Sequence, residues 1–363
     1  MKIDGTPYRS IWVDEQDEWS IRIIDQTKLP WSIDIVRLTA VAEVAHAIRS
    51  MQVRGAPLIG ATAAYGICLA LRADASTDAM ERDCAMLAAT RPTAVNLRWA
   101  IERMLTRLRN TRSEDRVRTA YAEARDISDE DVAQCQSIGR HGAKLIEDAA
   151  SRTGRRVNVL THCNAGWLAT VDWGTALAPI YTAFERGVDL HVWVDETRPR
   201  NQGAALTAWE LGRHGVAHSL ISDNAGGHLM QHGEVDLVIV GADRVTRAGD
   251  AANKIGTYLK ALAAHDNGVP FWVAMPSSTI DWTVSDGVRD IPIEERASSE
   301  VTTISGRALD GTVTTVRVAP SDTPAANPAF DVTPARLVTG LITERGRCEA
   351  TVDGLLGLFP ERR

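Results

Sequence analysis

After Arg156 the chain becomes a series of short, largely apolar segments, VNVLTHC, LHVWVDET, AHSLISD, DLVIVGAD and PFWVAMP, and their alternation with helical stretches constrains the fold more than any other feature. A strand with no polar face must be covered on both sides. The intervening stretches GTALAPIYTAFERG and GAALTAWELGRHG carry helical spacing, so an α/β architecture is expected, with a parallel, doubly wound sheet between helices. Open sheets of this kind bind ligands outside the carboxyl ends of their strands, which makes the strand-ending residues the first candidates for a site.

The first half reads differently. β-branched patches around the turn-like Lys28-Leu29-Pro30, between Ser20 and Thr39, predict a small antiparallel sheet. Apolar residues at helical spacing then predict helices over Val41–Met51, Ala56–Leu71, Met80–Ala89, Ala94–Leu108 and about Val117–Ala150. A length of 363 residues fits two packed domains. The expected division is a helical domain with a small sheet at 1–128 and a second domain at 129–363. The Pro- and Ala-rich stretch 320–328 is expected to run over the surface before a last helix at Pro334–Thr343.

Composition narrows the function classes. Forty Lys and Arg against 47 Asp and Glu give a net charge of -7, where a nucleic-acid partner calls for clustered basic residues. No apolar run approaches the roughly 20 residues of a membrane helix, so no membrane partner is expected. The N-terminus, MKIDGTPYRSIWVDEQDEWS, is acidic and polar where a signal peptide would be basic and then apolar. Five widely spread cysteines with no C-x-x-C pair read as reduced thiols in the cytoplasm.

Two strand ends carry reactive side chains. Cys163 closes VNVLTHC before Asn164-Ala165-Gly166, and Asp243 closes DLVIVGAD. A thiolate working near neutrality needs a cation or a helix N-terminus, whereas a carboxyl acting as an acid needs burial. Position alone leaves the plainer readings open, since free cysteines are commonly core residues and a strand-end Asp commonly forms a turn or a cap. Cys68, within YGICLALR, reads as core, and so do Cys84, Cys135 and Cys348. Several segments suit an anion. Arg54-Gly55-Ala56-Pro57 precedes an apolar helix, Asn253-Lys254 is expected to open another, Gln202 stands before a third, and Arg91 lies in RPTAVNL.

Other signals are weaker. His228 and His232 have the spacing of two metal ligands on one helical face, but Leu229 stands where a zinc protease has Glu, so no metal is assigned. His162 adjoins Cys163, yet successive strand residues point to opposite faces, which argues against a dyad. The glycines after Asn224 lack the G-x-G-x-x-G spacing of a dinucleotide site.

The segments RGAPLIGATAAYG, RPTAVNL, THCNAGWLAT, DETRPRNQGAALTAWEL, GADRV with GDAANKIGTYLKALAAHDNGVPFWVAMPSSTID, and NPAFDVTPARLVTGLITERG resemble, in order, the methylthioribose-1-phosphate isomerase family. The resemblance implies a helical N-terminal domain beside a Rossmann-like catalytic domain, a homodimer, and no metal or organic cofactor. It implies Cys163 and Asp243 as the catalytic pair, with Arg54, Gly55, Ala56, Arg91, Gln202, Asn253 and Lys254 binding a sugar phosphate. The wider superfamily includes non-catalytic regulatory subunits of a translation-initiation exchange factor and ribose-1,5-bisphosphate isomerase, which stand as alternatives. Trp167, Trp173 and Arg98 depart from the common pattern, and a bulky wall near Cys163 is expected to bear on the 5-substituent, methylthio or the methyl of 5-deoxyribose 1-phosphate.

Overall fold

The computed structural model describes residues 1–3, 5–92 and 94–363. After a short antiparallel ladder of Lys2–Ile3 with Thr6–Pro7 comes a three-stranded antiparallel sheet, formed by β1 (Ile11–Val13), β2 (Ile21–Ile24) and β3 (Ile35–Leu38). Helices follow as α1 (Val41–Arg49), α2 (Ala56–Ala73), α3 (Thr77–Ala88), α4 (Val95–Arg109) and the 38-residue α5 (Arg116–Thr153). Apart from the extra strand β1, these elements match the periodicity of the sequence to within a few residues. Helix α2 is long and apolar enough to span a membrane, contrary to the expectation for this chain, but nearly all of it is buried inside the protein. It is the central helix of a core built from α1 to α5 and the small sheet.

The helix α5 runs unbroken across positions 128 and 129 and serves two cores. Ala120, Ala124 and Ile127 pack into the helical core, whereas Ile138, Ala143, Ile146 and Ala149 pack against the main sheet.

That sheet begins with β4 (Val157–Thr161), α6 (Leu177–Glu185), β5 (Leu190–Asp195), α7 (Ala208–His214) and β6 (His218–Ile221). After α8 (Ala225–Gln231) comes β7 (Leu237–Val240) and a hairpin of β8 (Arg244–Thr246) and β9 (Ala251–Lys254). The helix α9 (Thr257–Asp266) leads to β10 (Phe271–Ala274) and the short β11 (Ile280–Asp281). An exposed hairpin of β12 (Thr303–Arg307) and β13 (Val313–Arg317) projects before β14 (Phe330–Thr333), β15 (Gly340–Thr343), β16 (Gly346–Cys348) and α10 (Val352–Leu358).

Seven strands pair in the order β16-β15-β10-β7-β4-β5-β6, all parallel except the edge strand β16. Val159, Val192 and Ile239 face the core under α5 and α6, while Leu160, Val238 and Val240 face the opposite core, as strands apolar on both sides require. The chain adds β5 and β6 on one side of β4, then returns to add β7 on the other. The reversal creates a crevice between β4 and β7, the switch point where such sheets bind ligands.

Two expectations fail. Pro334–Thr343 is not a helix: after one 3₁₀ turn at Ala335–Leu337 the buried GLIT segment joins β10 as a parallel strand. Gly340 suits that place, because a Cβ there would lie 2.4 Å from the Trp272 ring. Asn253 and Lys254 do not open a helix either; they end β9, in a four-stranded sheet ordered β11-β8-β9-β14, and α9 starts at Thr257.

Asp131 on α5 is buried, and its Oδ2 accepts the Val171 N–H at 2.7 Å. Burial pushes this carboxyl from an ordinary 3.8 up to about 7, against the pull of the hydrogen bond. A raised acid keeps its proton longer in the folded chain than in the unfolded one. Its contribution to stability is therefore full below 3.8 and is lost as pH rises toward about 7. Asp131→Asn keeps an acceptor oxygen but cannot ionise. The variant is expected to show a smaller fall in melting temperature between about pH 5 and about pH 7.5 than the parent, and equal falls in calorimetry would show that Asp131 does not titrate in this range.

Candidate active site

Cys163 lies two residues beyond β4 in a left-handed conformation, φ +66°. That conformation is unfavourable for a residue with a side chain and needs support from its surroundings. The Cys163 N–H donates to Thr197 Oγ1 at 2.8 Å, and the Cys163 carbonyl accepts from Thr207 Oγ1 at 2.7 Å. The sulfur sits 3.5 Å from Gln202 Oε1, at the start of the π-helical turn that leads into α7. Asp243 occupies the equivalent exit of β7, where its N–H donates to the Ala252 carbonyl at 2.9 Å. This bond fastens the strand exit to β9 and so brings Asn253 and Lys254 alongside.

Cys163 and Asp243 line one cavity at the switch point, with an empty volume of about 630 Å³ including its mouth. Every candidate binding residue lines it too: Arg54, Gly55, Ala56, Arg91, Gln202, Asn253 and Lys254. Gly55 caps α2 with φ +94°, and a Cβ there would fall 2.3 Å from the Ala169 carbonyl oxygen, so only glycine lets this helix start press against the Cys163 loop. Arg54 is buried and donates to both the side-chain oxygen and the carbonyl of Asn164. Lys254 is buried, donating to the Ala329 carbonyl at 3.0 Å with its ammonium over the Phe330 ring. Asn253 Nδ2 donates to Thr257 Oγ1 at 3.0 Å. Arg91 donates to Glu294 at 3.1 Å, but its Nε is buried with no acceptor among the described residues. A buried, unmet guanidinium donor beside an open cavity is suited to an anionic ligand.

Burial pushes the Cys163 thiol up; Arg54 and then Lys254 pull it back, and Asp243 adds to the rise. Burial also raises the Asp243 carboxyl, opposed by Lys254, Arg91 and Arg54 in turn. The same burial lowers Lys254, against the attraction of Cys163 and Asp243. The cavity therefore favours neutral forms of both reactive groups, while its cations keep their ionised forms accessible.

His162 lines the same cavity as Cys163, but its ring nitrogens are engaged elsewhere. Its Nδ1 lies 2.8 Å from Asp195 Oδ2 and its Nε2 lies 2.8 Å from the Ile255 carbonyl. With Asp195 and Asp223, His162 forms a group compact enough to hold a metal ion. The Lys260 ammonium already supplies positive charge there, 3.2 Å from Asp195 Oδ2 and bonded to the Asp223 carbonyl. His228 and His232 stack at the end of α8, away from the cavity lining.

Trp167 does not wall the cavity; it is buried in the core against Trp209. Trp173 packs at the edge of the same core, and Arg98 is exposed on α4 with a bond to the Pro92 carbonyl. Met51, Thr175, Pro276 and Phe330 line the cavity instead. None of these carries a reactive group that sequence reading could have singled out. The buried Glu210, held against the Cys163 loop, was also missed; its signal was an acid within an otherwise apolar helical stretch.

The chain belongs to the initiation factor 2 subunit family, whose model matches residues 52–350. Within that family it is 69% identical over 362 residues to the methylthioribose-1-phosphate isomerase of Acidiphilium cryptum (strain JF-5), an alignment covering 100% of this chain and 98% of the relative. Among solved structures it is similar to 5-methylthioribose 1-phosphate isomerase from Pyrococcus horikoshii OT3, with a TM-score of 0.83, 40% identity, and 98% and 97% of the two chains covered. The structure described as translation initiation factor eIF-2B, subunit delta, from A. fulgidus is also 40% identical, with a TM-score of 0.80 and coverage of 98% and 100%.

Because Lys254 pulls down both reactive groups, Lys254→Met is expected to shift the pH profile of Cys163 alkylation upward. Alkylation rates followed by mass spectrometry across pH check this, and a superimposable profile would mean that Lys254 does not act on the thiol.

Proposed function

We propose that the chain is an aldose–ketose isomerase that opens 5-methylthioribose 1-phosphate and converts it to 5-methylthioribulose 1-phosphate in methionine salvage, with 5-deoxyribose 1-phosphate as a second substrate. The observation that carries this reading is the meeting of a thiol and a carboxyl in one cation-lined cavity at the sheet's switch point. The anomeric carbon of such a substrate is blocked by phosphate, so simple ring opening gives no free aldehyde. An acid must protonate the ring oxygen. Asp243, whose carboxyl burial raises toward its protonated form, donates that proton as the bond from the ring oxygen to C1 breaks. The hydrogen on C2 then moves with its electron pair to C1, and the thiolate form of Cys163, which Arg54 and Lys254 favour, takes up the proton that the C2 hydroxyl loses as the ketone forms. Arg54, Arg91 and Lys254 hold the phosphoryl group, with Gln202, Asn253 and the Gly55–Ala56 helix start completing its surroundings.

Two other readings belong to the same fold. The equal identities to the two solved structures do not separate them, but the full-length relative at 69% identity is an isomerase, and a thiol and an acid at the working edge favour the same reading. A 1,5-bisphosphate would need a second cationic site. Arg200 in the adjoining chamber is paired with Glu300 at 2.7 Å, which disfavours that substrate. The reading carries with it a homodimer in the cytoplasm. The unpaired cysteines suit a reducing compartment, and the exposed Leu309, Val313, Val316 and Val318 on and beside the β12–β13 hairpin offer apolar surface to a second copy.

The purified protein is expected to form ketose from methylthioribose 1-phosphate, followed by NMR, and none from ribose 1,5-bisphosphate. Ketose from neither these nor 5-deoxyribose 1-phosphate, in a folded sample, would favour the regulatory reading. Cys163→Ser and Asp243→Asn are each expected to lower turnover roughly 10²–10⁴-fold, and near-normal turnover in either variant would remove that residue from the mechanism.

A further inference from the structure

Behind the cavity lies a buried carboxylate that the proposed chemistry does not use. Glu210 on α7 is 1% exposed and forms no ion pair among the described residues. Four donors converge on it. Its Oε2 accepts the Trp167 N–H at 2.9 Å and the Tyr181 hydroxyl at 3.0 Å, while Oε1 accepts Asn164 Nδ2 at 2.7 Å and the Leu168 N–H at 3.2 Å. The loop after Cys163 passes directly over this group, since a Cβ on Gly166 would lie 1.9 Å from Oε2.

The bond to Asn164 matters because an amide has two unlike ends. Asn164 Oδ1 accepts from the Arg54 guanidinium, and Nδ2 donates to Glu210 and, at 3.1 Å, to Thr207 Oγ1. Turning the amide over would set its N–H groups against the guanidinium and its oxygen against the carboxylate, two repulsive contacts in a buried place. The carboxylate thus determines which end of Asn164 meets Arg54. Arg54 spends two of its donors on Asn164 and keeps the rest of its five N–H bonds for the cavity it lines.

We propose that Glu210 is a positioning residue: by fixing the orientation of the Asn164 amide, it aims the Arg54 guanidinium at the phosphoryl group. The inference rests on the reading of Arg54 as a phosphate ligand given above. Burial pushes the Glu210 carboxyl up to about 7, against the pull of its four hydrogen bonds, which favour the ionised form.

The test is calorimetric titration of the full chain with inorganic phosphate, with melting temperature recorded in parallel. Glu210→Leu removes the acceptor and is expected to weaken phosphate binding roughly ten- to a hundredfold. Glu210→Gln retains one oxygen that can face Asn164 and is expected to recover part of the loss. Tyr181→Phe removes a bond on the side of the carboxylate away from Asn164, and is expected to lower the melting temperature without weakening phosphate binding. Should Glu210→Leu not fold, Asn164→Ala interrupts the same chain at its other end and is expected to weaken phosphate in the same range. Unaltered affinity in folded Glu210→Leu or Asn164→Ala would overturn the proposal, as would an equal loss in Tyr181→Phe or no phosphate binding by the parent. A protein that makes no ketose yet loses phosphate affinity on Glu210→Leu would discard the isomerase reading and keep the brace.

Discussion

The site depends on the hydrogen-bonded pairing of β4 with β7, in the register Val159 to Leu237 and Leu160 to Val238. Neighbouring strands stand about 4.8 Å apart, so this pairing sets the exits of the two strands side by side although Cys163 and Asp243 are far apart in sequence. Had the chain added β7 beyond β6 instead, the width of the sheet would separate the thiol from the carboxyl. The pairing is held by apolar cores on both faces and by Thr161 Oγ1, which donates to the Ile239 carbonyl at 2.8 Å. A one-residue slip would exchange the side chains facing the two cores, which resists any change of register.

What the sequence discloses follows from how local each cause is. The parallel strands were legible because residues such as Val238, Ile239 and Val240 have no polar face, a property that any seven-residue window reveals. The strand β15 was not. Its context, TPARLVTGLIT, carries a helical spacing, and only Trp272 on the neighbouring strand shows why Gly340 belongs in a sheet. The sheet β11-β8-β9-β14 was equally hidden, since strands of two to four residues leave no period to read. Asn253 and Lys254 thus appeared to begin a helix whose first turn lies at Thr257. The cavity-lining residues emerged through their segments, while Glu210 gained meaning only when the Cys163 loop was seen wrapped around its carboxylate.

The family joins proteins described as isomerases with proteins described as initiation-factor subunits on one framework, so the fold alone cannot say what a member does. The difference must lie in the side chains at the strand exits. In this chain the exits carry a thiol and an acid, and the surrounding segments carry three cations with few anions to match. Arg54 answers to an amide, Lys254 to a carbonyl, and Arg91 to Glu294 with one nitrogen left unmet.

That imbalance has a consequence for the chemistry. Taking cations out of water is costly, and neutral amide and carbonyl partners compensate only part of it. On the proposed reading, a bound phosphoryl group would supply the missing negative charge, and holding it would draw cationic attraction away from Asp243 and Cys163. Relieved of that pull, and deeper in a dry setting, the carboxyl holds its proton more firmly until a basic atom is presented to it. The ring oxygen is such an atom. On that reading, binding and acid catalysis would be coupled through the same three cations, which line one cavity with Cys163 and Asp243.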